Sequence, residues 1–306
     1  MHDIFKCPAF SKSEIYLRAI SEKIAASELV HLQAPAEINS IIALSFIESA
    51  LIEKKINYKR RITAPNSHLP KDEVTEYQVP KIGLSLVIDL TRDTEEFSDL
   101  EESNLIEIYN RSVQFELGSA GKKVVSVLDV VSQCASIAYA IDDSTRLRKL
   151  RYLMGSGQWL RESMDTTYDP IHSLIRDHLK SEGTIDVVPL PESHEEGDLL
   201  LKNIPPRMIG RLRKKWEDMD YNDRSMALSE IALLAIAESD ISTSRLEELI
   251  WHRIHHPSLD YDLATTLEKV QLAWPKGSSE ARLFASELID SLITESKFKL
   301  SNESTL

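Results

Sequence analysis

Residues 28–62 read ELVHLQAPAEINSIIALSFIESALIEKKINYKRRI, and the fold class follows from how that stretch divides. Glu28-Leu29-Val30-His31-Leu32 is a short apolar run that suits a buried strand. From Ile38 the spacing changes. Ile38, Ile41, Ile42, Phe46, Ala50 and Leu51 fall on one side of a long helix that ends in Glu53-Lys54-Lys55. Tyr58–Thr63 returns to a strand pattern. A strand, a helix and a second strand in close succession form a crossover unit whose strands pair in parallel.

The same alternation extends outward. Upstream, Ile15, Leu17, Ile20 and Ile24 mark a helix over about residues 11–26, with Ser11 or Ser13 as its N-cap. Downstream, Leu84–Leu90 (LSLVIDL) is the clearest strand and Asn104–Tyr109 (NLIEIY) supplies a fourth. The expectation is an α/β fold: an open, mostly parallel, doubly wound sheet flanked by helices. From about Val130 the pattern turns helical, over Val130–Ala140, Thr145–Leu153 and Ile171–Leu179. Between about 183 and 206 the chain becomes rich in Pro, Glu and Gly, which marks a linker or domain crossing. Five helices are then expected, over Met208–Met219, Ser225–Glu238, Ser244–Ile254, Asp262–Ala273 and Glu280–Ile293, before a frayed end at Ser301–Leu306. The division expected is therefore an α/β domain over 1–185, a linker over 186–206 and a helical C-terminal region over 207–306. No internal repeat or low-complexity tract is present.

Composition narrows the class. The chain has 306 residues, 42% apolar and 28% charged, which is ordinary for a globular protein large enough to bury a core without staples. Its two cysteines, Cys7 and Cys134, cannot build a disulfide framework or a four-thiolate zinc site. No apolar run approaches the length of a spanning helix and no secretory segment opens the chain, so a soluble, cytoplasmic protein with no membrane partner is expected. Lys and Arg number 36 against 49 Asp and Glu, a net charge of −13. That balance argues against a dedicated nucleic-acid binder, though a local basic channel remains compatible with it.

Ligands of an open parallel sheet sit at the carboxyl ends of its strands. There the sequence places His31-Leu32-Gln33-Ala34-Pro35-Ala36-Glu37, then Asp89-Leu90-Thr91-Arg92-Asp93, then Tyr109-Asn110-Arg111. In this order of elements the chain resembles the DHH phosphoesterases, in particular the RecJ-like exonucleases. Their first motif is a strand, His-x-Asp-x-Asp-Gly and a helix, followed by a basic strand. SLVIDL resembles the family's strand ending in a metal-binding Asp, and SQCASIAYAIDDSTRLRKLRYLMGSGQ its Ser-x-x-x-x-Ala-Tyr helix and Gly-containing segment. The resemblance covers roughly residues 27–160 and continues more faintly through the helices after 206. It rests on order and spacing.

The departures matter more. By this resemblance, the motif's two aspartates align with Gln33 and Pro35, the Asp-His-His signature with Tyr109, Asn110 and Arg111, and a further Asp with Gln158. Only His31 and Asp89 remain of a ligand set that holds two divalent ions, and a two-metal centre needs several oxygen ligands converging on both ions. Arg111 places a positive charge where cations belong. The Gly-rich, basic motif of the family's C-terminal domain has one weak counterpart, Lys276-Gly277-Ser278-Ser279, in a chain with only 9 Gly. No catalytic residue, resident cofactor or metal is therefore expected. The resemblance implies a pseudoenzyme of the family's inactive branch, a shortened archaeal version that binds the GINS complex and the MCM ring of the CMG replicative helicase, with weak single-stranded DNA contact through Lys59, Arg60 and Arg61. The enzyme alternative is a divergent metal-dependent single-strand exonuclease or nucleotide phosphodiesterase, with Asp93, Asp129 or Asp142 rebuilding a site around Asp89.

Other features have plainer readings. His31 and Asp89 read as fossils, paired with each other or with Arg111, and Asp89 beside Arg92 or Arg111 as a local ion pair. His252, His255 and His256 read as the basic end of a helix stopped by Pro257 rather than a zinc site. Basic clusters at 54–61, 146–151 and 207–215 read as exposed helix ends or strand edges. Tyr139, Tyr152 and Trp159 read as core, and Asp93–Glu102 and Glu192–Asp198 as solvated acidic loops.

Overall fold

A computed structural model describes residues 3–68, 77, 79–92, 94–97, 103–118, 121–161, 169–193, 200–201, 204–238, 241–257 and 262–300. Its centre is a four-stranded parallel sheet of β1 (Leu29–Pro35), β2 (Asn57–Thr63), β3 (Leu84–Ile88) and β5 (Leu105–Ile108), in the order β2-β1-β3-β5. Helix α1 (Glu14–Ala25) precedes β1, and α2 (Ile38–Lys54) makes the crossover to β2. The expected α/β sheet flanked by helices is present. The expected helix and strand over 28–62 are both there, but β1 runs three residues beyond Leu32, so His31 and Gln33 lie inside the strand.

Strand alternation gives the sheet two unlike faces. Val30, Leu32, Ala34, Leu86, Ile88, Ile106 and Ile108 are buried on one face, against α2 and α3 (Val130–Ile141), with α1 packed on α3 and α11 (Ser278–Glu295) packed on α2 and β2. Helix α2 is buried continuously from Ser40 to Leu51, as a helix enclosed on several sides must be. The other face carries His31, Gln33, Ser85, Val87 and Glu107, with Lys59 and Arg61 at its edge. Among the described residues the β2–β3 connection holds the single turn Asn66–His68, and Ile82 near its end meets His31 on this polar face.

A second sheet was not foreseen. The strand β4 (Glu95–Glu96) pairs in parallel with β6 (Arg111–Leu117), which forms an antiparallel hairpin with β7 (Lys122–Leu128). The alternation of RSVQFEL and KKVVSVL about Gly118 and Gly121, both at positive φ, carries that signal. Beyond α3 lie α4 (Thr145–Leu150), α5 (Ser156–Trp159) and α6 (Pro170–Ser181). The stretch expected to be a linker is tied in: β8 (Asp186–Val188) pairs with β9 (Arg253–His255), and Leu190, Leu201 and Ile204 are buried. The five C-terminal helices are α7 (Pro206–Trp216), α8 (Tyr221–Glu238), α9 (Thr243–Trp251), α10 (Leu263–Ala273) and α11. Helix α9 stops at Trp251, so His252 is its C-cap and His255 lies in a strand, not on a helix reaching Pro257. Among the described residues no helix is long and apolar enough to cross a membrane. The expected frayed end at Ser301–Leu306 lies outside the described residues.

Candidate functional site

The four parallel strands end level with one another. Pro35 pairs with Thr63, Gln33 with Val87, and Ile88 with Ile108, so Thr63, Pro35, Asp89 and Tyr109 form one row across the carboxyl edge. Asp89 is the single carboxylate in that row. His31 pairs with Ser85, four residues short of it, which at about 3.3 Å per residue puts it about 13 Å back along the sheet. The two do not meet. His31 Nε2 instead lies 3.1 Å from the Ile82 carbonyl oxygen, and its ring packs on Gly83, whose φ of +93° and close approach to Leu29 O leave no room for a side chain. Asp89 accepts hydrogen bonds at Oδ1 from the Thr91 amide and hydroxyl, each 2.8 Å, so it caps its own turn rather than pairing with His31, Arg92 or Arg111.

Tyr109 and Arg111 build something else in the signature position. The Tyr109 ring lies between two guanidinium groups, with Arg111 Cζ 3.7 Å and Arg92 Cζ 4.1 Å from its centroid. Its hydroxyl donates to Glu95 Oε2 at 2.7 Å. That bond holds the Glu95 carboxyl below its ordinary range, with Arg92 assisting, while burial pushes the Tyr109 phenol up. Arg92 also reaches Glu107 Oε2 at 2.7 Å, and Arg111 donates to the Glu96 carbonyl at 3.0 Å and lies over Tyr16 and Phe97. A stacked cation is worth about 2 kcal/mol when desolvated, as Arg111 is, and about 0.5–1 kcal/mol when as exposed as Arg92. Asn110 is half-buried between β5 and β6. Sequence reading missed the partners Tyr16, Glu95 and Phe97, which come from segments distant in the chain.

The remaining candidate ligands are occupied structurally. Asp129 N-caps α3, accepting from the Ser132 amide at 2.9 Å and from its hydroxyl at 2.6 Å, and burial pushes its carboxyl up. Gly157 packs so closely on Asp129 that a Cβ would fall 1.8 Å from Oδ1. Gln158 donates to the Val127 carbonyl at 2.6 Å. Asp142 closes the other end of α3 and pairs with Lys54 at 3.0 Å. Asp93 lies outside the described residues. Lys276-Gly277-Ser278-Ser279 is the start of α11, with the Glu280 carboxylate folded over Gly277. Among the described residues no three His, Cys, Asp or Glu side chains converge to hold a metal ion. The donor set of an amide, a proline, a phenol and a guanidinium does not fit a two-ion centre.

The basic clusters divide in the same way. Arg60 faces the helices, where it pairs with Glu48 at 3.2 Å and Asp290 at 2.8 Å, so it is not available to nucleic acid. Lys59 and Arg61 point to the opposite face and line a groove of about 260 Å³ with His31, Leu32, Gln33 and Pro80, to which Arg60 also contributes while its guanidinium stays paired with Glu48 and Asp290. Arg146, Arg148 and Arg151 pair with Glu53, Asp143 and Glu182. Tyr139, Tyr152 and Trp159 are buried, as core residues should be. Of the histidines, His252 lies about 4 Å from Glu247 and Glu248 and His256 stacks edge-on against Tyr152. The sequence matches no protein-family model and no curated protein.

Proposed function

We propose that this chain is a RecJ-like scaffold subunit of a DNA replication complex, without catalytic activity of its own, that binds the GINS complex and supports the MCM helicase in the cytoplasm. The observation that carries the non-catalytic part is the row at the carboxyl edge of the sheet: one carboxylate, Asp89, flanked by Pro35 and by the Arg92–Tyr109–Arg111 stack. The order of β1, α2, a basic β2 and an apolar β3 ending in Asp89 supports the likeness to DHH phosphoesterases. A net charge of −13 suits a protein partner better than tight DNA binding. Single-stranded DNA contact, where it occurs, falls to Lys59 and Arg61 without Arg60.

Manganese calorimetry beside a single-stranded DNA degradation assay tests the first half, and capture of purified GINS and MCM the second. The expected result is no manganese heat, no cleavage and retention of GINS. Tight manganese binding with cleavage, both lost in Asp89→Ala, establishes the divergent exonuclease or phosphodiesterase instead. Failure to retain GINS removes the replication role.

A further inference from the structure

Helix α8 is apolar on two sides. Leu228, Ile231 and Ala235 are buried on the side that packs on α9. On a second side Asn222, Met226, Ser229, Leu233 and Ile236 follow one another at steps of four, three, four and three, the spacing of a coiled-coil seam. All five are exposed, Met226 at 60%, Leu233 at 68% and Ile236 at 49%. Single exposed apolar residues are ordinary, but a row at helix-packing spacing marks an interaction surface. The Ser229 hydroxyl donates back to the Ser225 carbonyl at 2.8 Å, which leaves the middle of the seam without a free donor.

Charge specifies what covers it. Asp223 and Glu230 each follow a seam position by one residue, so both lie along the same flank, and both are exposed. A second copy of the chain laid antiparallel on the seam brings Glu230 against its own counterpart, and a parallel copy sets Glu230 opposite Ser225, which offers no cation. Nucleic acid and anionic lipid are repelled by the same flank. We propose that this face of α8 docks an amphipathic helix of a partner protein, with apolar residues at its own seam and Lys or Arg along one flank. The inference does not depend on the replication reading.

The test uses the full chain and a labelled synthetic peptide about four heptads long, with leucine at the seam and lysine along one flank. A second peptide carries glutamate on that flank. Anisotropy should show binding of the lysine peptide and binding about tenfold or more weaker for the glutamate peptide. Leu233→Glu should remove binding, whereas general attraction between a cationic peptide and an acidic protein would strengthen in that variant. Glu230→Lys, which leaves Asp223 as the flank's one acid, should reduce the preference between the peptides to near nothing with an unchanged melting temperature. No binding of the lysine peptide, binding that survives Leu233→Glu, or a dimer in sedimentation that Leu233→Glu dissolves would each overturn the proposal.

Discussion

Replacing Arg60 by methionine separates a nucleic-acid contact from a structural ion pair within one basic cluster. The Glu48 carboxylate is almost fully enclosed by α2, β2 and α11, and its side chain is 1% exposed. Burial pushes its pKa up to about 7, even with Arg60 beside it drawing it down. Removing the guanidinium leaves that carboxylate buried without a cation, with the Tyr58 hydroxyl still bonded to it, and breaking a buried pair in this way costs at most about 3–5 kcal/mol. The second partner, Asp290, is mostly exposed and adds little. For a chain of this size the loss corresponds to a fall in Tm of roughly 6–12 °C at pH 8. Lys59→Ala and Arg61→Ala, at exposed positions on the same strand, should each stay within about 0.5 kcal/mol of the parent.

The pH dependence carries the same logic. A carboxyl whose folded pKa lies above its unfolded value takes up a proton on folding between the two, so stability rises as pH falls through about 7 toward the unfolded value. The cost of Arg60→Met should therefore shrink on going from pH 8 to pH 5, because Glu48 goes neutral. Arg60→Met combined with Glu48→Met should recover most of the stability at pH 8, since a well-packed apolar pair replaces a buried ionic one at little cost. Thermal melts by circular dichroism at the two pH values are sufficient. Equal Tm values for Arg60→Met and Lys59→Ala at pH 8, or a cost independent of pH, would refute the reasoning.

Two further outcomes follow from packing. Gly157→Ala drives a methyl into the Asp129 carboxylate and displaces the α3 N-cap. The expected loss is about 2–4 kcal/mol, from the cap and from overpacking together, and urea unfolding with an unchanged m-value checks it. Cys7 and Cys134 are both buried, and burial pushes the Cys7 thiol up to about 11 and the Cys134 thiol higher still. Neither should react with a thiol reagent in the native state at pH 8 while both should in denaturant, and rapid native labelling would contradict the burial.

Sequence alone fixed the main layer because periodicity is local. The apolar spacing of 38–51 can be satisfied only by a helix with its long face buried, and the flanking strands then pair in parallel through a short crossover. The same holds for Leu84–Leu90 and for the five C-terminal helices, whose positions were read to within a few residues. The identity of the edge residues Asp89 and Tyr109 was equally legible, since those strand ends can be counted along the chain.

What those residues touch was not. Whether His31 meets Asp89 depends on the register between β1 and β3, and extension of β1 to Pro35 carried the histidine away from the edge. The role of Arg111 was set by Tyr109, Tyr16 and Phe97, drawn from three separate segments. Arg60 read as one of three equal cations, and only strand alternation against a buried Glu48 set its guanidinium in an ion pair. Short-range pattern dictates which element forms, because hydrogen-bonding and apolar period lie within a few residues. Which charges meet is a long-range outcome of register and packing, decided only when the chain is folded.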